Sequence, residues 1–279
     1  MKHLVVLGSL LAGSFAGAAQ AADLPSTRYA PPVVTLPVFT WTGFYAGVNA
    51  GAAFSGSEQP RYTEGRGFVG LNPGVLDGLQ KSREQTGFVG GGQIGYNYQV
   101  GGIVLGAEAD FQYAGIERGR TGTGALTNLA PGHTDTDILT SRTRIETLGT
   151  VRGRIGFLPT ERLMVYATGG LAYGDVSMRT AYTDTGTGPF FPGGINVIPY
   201  AASRSSMQVG YVAGGGIEYA ITDRLSAKIE GLYGDLGRSS VTARYTGNGS
   251  TEPTDIYTVR ESNRFGLVRA GLNYRFTGL

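Results

Sequence analysis

Eleven charged residues sit at even spacings within stretches that alternate oily and polar: Glu108 and Asp110, then Arg144, Glu146, Arg152 and Arg154, then Glu218, Lys228 and Glu230, then Arg269 and Arg275. Side chains two apart on an extended backbone point the same way, so each group shares one face of its segment. Opposite charges gathered on such faces either neutralise one another in a hydrogen-bonded network or ring a conducting pore as a charged constriction.

Two other constellations invite chemistry and do not sustain it. Gly90-x-Gly92-x-x-Gly95 spells a dinucleotide fingerprint, but that motif works only where a strand turns into a helix N-terminus. Here it lies inside an alternating strand. His133, Asp135 and Asp137, with Ser141 beyond them, can be drawn as metal ligands or as a hydrolase triad. A zinc site needs more ligands and a triad needs an oriented base, whereas Asp, Thr and Gly are ordinary turn residues. The expectation is a solvated loop with no catalytic, cofactor or metal site.

What must position the charges is legible from the N-terminus onward. Met1 to Ala21 has a basic start at Lys2, an apolar run from Leu4 to Ala19 and a small-x-small site at Ala19-Gln20-Ala21, the pattern of a cleaved signal peptide. Residues 22–40 carry Pro25, Pro31, Pro32 and Pro37, which predict a Pro-rich periplasmic linker. Gly fills 47 of 279 positions and Cys none. That composition suits tightly curved strands and removes disulfide and thiol chemistry. The 23 basic residues less Lys2 leave 22 against 21 acidic ones, so a nucleic-acid partner finds no support.

From Trp41 onward the period is two. Phe44, Ala46, Val48, Ala50 and Ala52 oppose Tyr45, Gly47, Asn49 and Gly51, and the alternation returns over 87–98, 103–113, 144–157, 163–173, 206–219, 225–233 and 262–276. Connections run long (54–86), short (99–102), long (115–143), short (158–161), long (174–205), short (220–224) and long (235–260). About eight strands of roughly nine to fifteen residues, joined in that rhythm, predict an all-β fold: a single-chain antiparallel transmembrane β-barrel over 41–276 with four long extracellular loops.

Tyr96, Tyr98, Phe111, Tyr113, Phe157, Tyr173, Tyr219, Tyr233, Tyr274 and Phe276 fall near strand ends on the oily face, where aromatic girdles meet lipid headgroups. An eight-strand lumen is just wide enough to be filled by side chains. The eleven charges are therefore expected to form a mutually neutralising plug rather than a constriction, with Glu108 pairing with Arg152 or Arg154. Asn248-Gly-Ser250 fits a glycosylation sequon that a bacterial outer membrane makes incidental.

Trp41-Thr-Gly-Phe-Tyr-Ala-Gly, Gly91-Gly-Gln-Ile-Gly-Tyr-Asn-Tyr, Leu148-Gly-Thr-Val-Arg-Gly-Arg, Tyr166-Ala-Thr-Gly-Gly-Leu-Ala-Tyr-Gly and Val268-Arg-Ala-Gly-Leu-Asn-Tyr-Arg-Phe together resemble the small outer-membrane β-barrel surface antigens of alphaproteobacteria, often labelled porin family. The resemblance implies outer-membrane lipid and lipopolysaccharide as surroundings and the barrel-assembly machinery as a partner during biogenesis. Relatives described as haemin-binding, envelope-integrity or adhesion proteins make a host or small-molecule ligand at the loops an alternative. The wider class ends on an aromatic residue, whereas Thr277-Gly278-Leu279 follow Phe276 here as a C-terminal extension. Tyr274 and Phe276 are thus expected to carry the assembly signal.

The expected function is that of an integral structural and surface-interaction protein, not an enzyme. A small-solute porin is the first alternative and a haemin or host-ligand receptor the second. Lipid-modifying barrel enzymes are a third, tested by lipid A modification with and without His133→Ala.

Overall fold

The computed structural model describes residues 39–56, 61–64, 75, 86–127, 134–187, 195–246 and 257–276. The signal peptide, the linker up to residue 38, His133, Asn248-Gly-Ser250 and the extension 277–279 lie outside them. Nine strands are described: β1 (Gly43–Ser55), β2 (Arg61–Glu64), β3 (Thr86–Val100), β4 (Ile103–Thr127), β5 (Thr134–Thr160), β6 (Leu163–Thr187), β7 (Ile195–Ala220), β8 (Leu225–Tyr245) and β9 (Tyr257–Arg275).

Each neighbour in the order β1-β3-β4-β5-β6-β7-β8-β9 pairs antiparallel, and β1 pairs with β9, so the sheet closes on itself. β2 resumes the first stave above β1: Ser55 lies opposite Phe265, and Arg61 to Glu64 lie opposite Arg260 to Tyr257. Closure removes the open edges that would otherwise need a partner in lipid.

The face assignments follow from that closure. Val48, Phe88, Ile94, Phe111, Leu171, Val209 and Ile229 are each more than half exposed on the outside, and Asn49, Gln93, Glu108 and Arg152 are buried within. This is the inverse of a soluble protein, and lipid is the solvent it suits.

Two expectations change. The strands run well past the lipid belt into the segments read as loops: β4 to Thr127, β5 from Thr134, β6 to Thr187, β7 from Ile195 and β8 to Tyr245. Above the lipid the outer face carries Glu117, Arg142, Ser177 and Arg179 instead of apolar residues, so the alternation fades from the sequence while the ladder continues.

Arg144 and Glu146 point outward, with side chains 47% and 50% exposed, and do not join the inner charges. Glu146 is an extra residue in the β5–β6 ladder, between the pairs Ile145↔Val176 and Thr147↔Asp175. A bulge of one residue moves every side chain before it to the opposite face. Ile145, expected outside, is accordingly buried.

Candidate functional site

The antiparallel register sets Glu108 beside Arg152, Glu218 beside Lys228 and Glu230 beside Arg269 on adjacent strands, all on the inner face. Their reach then carries them across the cylinder. Arg152 donates from Nη1 to Glu230 Oε2 (3.0 Å), from Nη2 to Asp110 Oδ2 (3.0 Å) and Glu108 Oε1 (2.5 Å), and from Nε to Thr150 Oγ1 (3.0 Å).

Arg269 donates to Glu230 Oε1 (2.7 Å), Asp110 Oδ2 (2.9 Å) and Gln112 Oε1 (2.8 Å). Lys228 Nζ reaches both oxygens of Glu108, at 2.8 and 2.9 Å. Arg154 donates to Glu218 Oε2 (2.9 Å) and Glu108 Oε2 (3.4 Å), and its guanidinium sits 5.2 and 5.0 Å from the ring centres of Tyr45 and Tyr166. Four cations thus meet the four carboxylates of Glu108, Asp110, Glu218 and Glu230, with none of these side chains more than 3% exposed. Buried charges persist only under such pairing, and the expected partnership of Glu108 with Arg152 and with Arg154 is present.

Arg275 is buried but stands apart, at the short-turn end. It donates to the Thr40 and Asp223 carbonyls and stacks 4.4 Å over Phe39 and 5.6 Å over Trp41. Trp41 is 2% exposed, and its Nε1 donates to the Glu161 carbonyl at 3.0 Å.

The charge pattern alone missed the neutral members of the cluster. Tyr45 donates to Glu108 Oε2 at 2.7 Å, Tyr166 to Glu230 Oε2 at 3.3 Å, and Ser226 and Asn273 to Glu218 Oε1 at 2.6 and 2.8 Å. They shared the inner parity of their strands, which was the signal available.

Buried side chains continue along the axis in layers. Trp41, Val104, Met164, Tyr166 and Ala220 lie below the ionic cluster, and an apolar layer including Ile116, Leu148, Leu236 and Phe265 lies above it. Next come Ser141 and Thr143 donating to Glu261, and Asn263 donating to Ser239. The last layer packs Val75 with Leu139, Met178, Tyr182, Tyr200 and Tyr257. Leu139, Met178, Tyr182, Tyr200 and Tyr257 of the last layer, with Ser141, Thr143 and Ser239 beneath it, come from segments that composition marked as loops.

The remaining candidates are placed as follows. Gly90, Gly92 and Gly95 lie in the antiparallel strand β3, with no helix after them to hold a pyrophosphate. Ser141 faces Glu261 in the interior. Asp135 and Asp137 come together with Asp184, their carboxylate oxygens within 4.8 Å of one another, and Tyr182 donates to Asp137 at 2.7 Å.

Burial first, then the hydrogen bond shared with Asp135 and the charges of Asp135 and Asp137, push the Asp184 carboxyl up to about 8. Between its ordinary value and about 8 the folded rim holds a proton that the unfolded chain has released. Stability of the rim therefore falls as pH rises through that window and levels off above it. Amide exchange at the strand ends 134–139 and 182–187 is expected to gain an extra opening component between about pH 5 and about pH 8 in the wild type only. The same gain in Asp184→Asn would remove Asp184 as its source.

The outward aromatics form two groups. Tyr96, Tyr98, Phe157, Tyr219, Tyr274 and Phe276 cluster toward the short turns, and Phe111, Tyr113, Tyr173 and Tyr233 toward the long connections, joined there by Phe54, Phe88 and Tyr211. Tyr274 and Phe276 meet edge to face with centroids 5.5 Å apart.

A closed ring of eight antiparallel staves, oily outside and charged within, defines the class of transmembrane β-barrels that span bacterial outer membranes. The chain belongs to the outer-membrane β-barrel family: the family described as "Outer membrane protein beta-barrel domain" matches residues 7–276. It is 36% identical over 279 residues to the 31 kDa outer-membrane immunogenic protein of Brucella melitensis, covering 98% of this chain and 99% of that one. It is 29% identical to the 22 kDa outer membrane protein of Rhizobium leguminosarum, covering 71% of this chain and 66% of that one. The outer-membrane protein OprG of Pseudomonas aeruginosa is a looser structural match, with a TM-score of 0.40 at 10% identity over 85% of this chain and 97% of that one. This protein is accordingly an outer-membrane protein.

Proposed function

We propose that the protein is a closed structural barrel whose lumen is plugged by its own side chains and whose work is done at its surface, through the extended wall and long connections. The observation that carries this is the ionic cluster: four cations and four carboxylates interlocked at mid-barrel, each at most 3% exposed. A conducting constriction keeps charges of one kind solvated along a water path, whereas these are desolvated and spent on one another. Apolar layers on both sides of the cluster support the same reading. The two aromatic groups serve as lipid-interface girdles, and Tyr274 with Phe276 is the signal read by the barrel-assembly machinery, with the three residues beyond tolerated.

The test is single-channel conductance of the refolded protein in planar bilayers. The expected result is silence. Steady openings whose size scales with salt would overturn the plug and restore the porin.

A further inference from the structure

Among the described residues the wall is interrupted between β7 and β8. β7 and β8 pair from Tyr211↔Asp235 down to Ala220↔Ser226, and again at Tyr200↔Tyr245 and Ala201↔Arg244, but no ladder pairs join them in between. The cause lies in β8, where the register against β9 slips between Asp235 and Arg238. Gly237 there adopts a φ of +80°, a left-handed conformation that suits glycine, and its N–H donates to Asp235 Oδ1 at 2.7 Å. Leu236 is turned fully inward into the apolar layer, and the strand leaves its neighbour.

The parted strands hold a notch of about 110 Å³, lined by Arg204, Ser206, Gln208, Arg238, Ser239 and Ser240 over an apolar floor. Among the described residues no carboxylate lines it. Among the described residues neither Arg204 nor Arg238 makes an ion pair, although every arginine of the mid-barrel cluster does. Strand edges without a ladder partner add backbone donors across the gap.

The height of the notch is fixed by its neighbours. Met207 and Val209, 64% and 65% exposed, face the lipid belt on the same strand, and Ser203 and Ser205 follow above them. The notch therefore opens where hydrocarbon gives way to headgroups, on the side of the long connections, which this class turns outward.

We infer that this notch is a binding site for a phosphate monoester carried on a saccharide. Two guanidinium forks match a tetrahedral dianion, and serine hydroxyls and a glutamine amide supply the neutral donors that complete its shell. The cavity holds several times the volume one water requires, enough for a phosphate group and not for a whole sugar chain. Two sources carry this chemistry: the phosphorylated head of lipopolysaccharide in the outer leaflet, and a soluble sugar phosphate arriving from outside. The inference stands apart from the plug, because it needs only the seam and the barrel's orientation.

The experiment titrates the folded full chain, in neutral detergent, with lipopolysaccharide, with the same material after dephosphorylation, and with glucose 1-phosphate. Wild type is expected to bind intact lipopolysaccharide at least about ten-fold more tightly than the dephosphorylated form. R204Q/R238Q should lose about the same factor while keeping its heat-modifiable band, and R162Q/R224Q, with the same charge removed at the opposite end, should stay within about two-fold.

Tighter binding of glucose 1-phosphate than of lipopolysaccharide, lost in R204Q/R238Q, assigns the site to the soluble source; the reverse order assigns it to the membrane. Equal binding of intact and dephosphorylated lipopolysaccharide, with no glucose 1-phosphate binding, overturns the site, as does an equal loss in R162Q/R224Q. Should R204Q/R238Q not fold, R204K/R238K keeps the charge without the fork and is expected to bind several-fold more weakly; undiminished binding there counts against the site.

Discussion

Arg152→Leu is expected to lower the temperature at which the folded band disappears from unboiled gels by roughly 10 °C. Among the described residues the guanidinium of Arg152 is the only cation in contact with Glu108, Asp110 and Glu230 together at 3.0 Å or less. Leucine leaves those carboxylates short of a partner in a water-poor interior, and breaking a buried pair in this way costs about 3–5 kcal/mol. Glu108→Gln added to Arg152→Leu should recover part of the loss, since it removes one of the charges left behind. Arg142→Leu is the contrast. Its side chain is 65% exposed and its pairing with Glu117 at 3.2 Å is an outer-wall contact, so the expected change is within about 1 kcal/mol. Equal temperatures for Arg152→Leu and the wild type would mean that the cluster contributes nothing to holding the staves together.

The reason so much of this cluster could be read from sequence is that parity survives wherever lipid enforces it. Between Phe44 and Phe54, or Ile103 and Tyr113, the outer positions must be apolar, so whatever charge remains, such as Glu108 and Asp110, is fixed on the inside. The same constraint located Arg152, Arg154, Glu218, Lys228, Glu230 and Arg269. It also explains the errors. At Glu146 a single extra residue flips the preceding positions, and nothing in the letters Arg144-Ile-Glu-Thr announces it.

Above the lipid the outer positions are free to be Thr, Ser, Glu or Arg, and a ladder with polar residues on one face and mixed residues on the other resembles a loop in composition. Ile116, Arg118 and Arg120 in β4, and Ser141, Thr143 and Ile145 in β5, keep strict inward parity throughout, yet only the pairing of whole strands reveals it. The neutral ligands Tyr45 and Tyr166 were hidden for another reason. Their hydroxyls gain meaning only once Glu108 and Glu230 are known to lie within their reach, two staves away.

Gly51→Ala is expected to cut the yield of closed barrel by more than ten-fold, an effect of about 3 kcal/mol. Gly51 lies opposite Arg269 in the ladder that joins the first stave to the last. A methyl group placed there would lie 2.1 Å from the Val268 carbonyl oxygen and 2.6 Å from the Arg269 Cα. Both are backbone atoms, so no side chain can swing away; the strands themselves must part. They would part at the one junction whose ends are most distant in sequence, where closure has the most chain entropy to overcome. Strain there also displaces Arg269, so the ionic cluster and the closure fail together.

Gly92→Ala supplies the comparison. Its nearest atom, the Gly47 carbonyl oxygen, would be 3.8 Å away, ordinary contact on the lipid face, and folding should proceed as in the wild type. If Gly51→Ala closed as readily as Gly92→Ala, the abundance of inward glycines would have to be explained by something other than the narrowness of the cylinder.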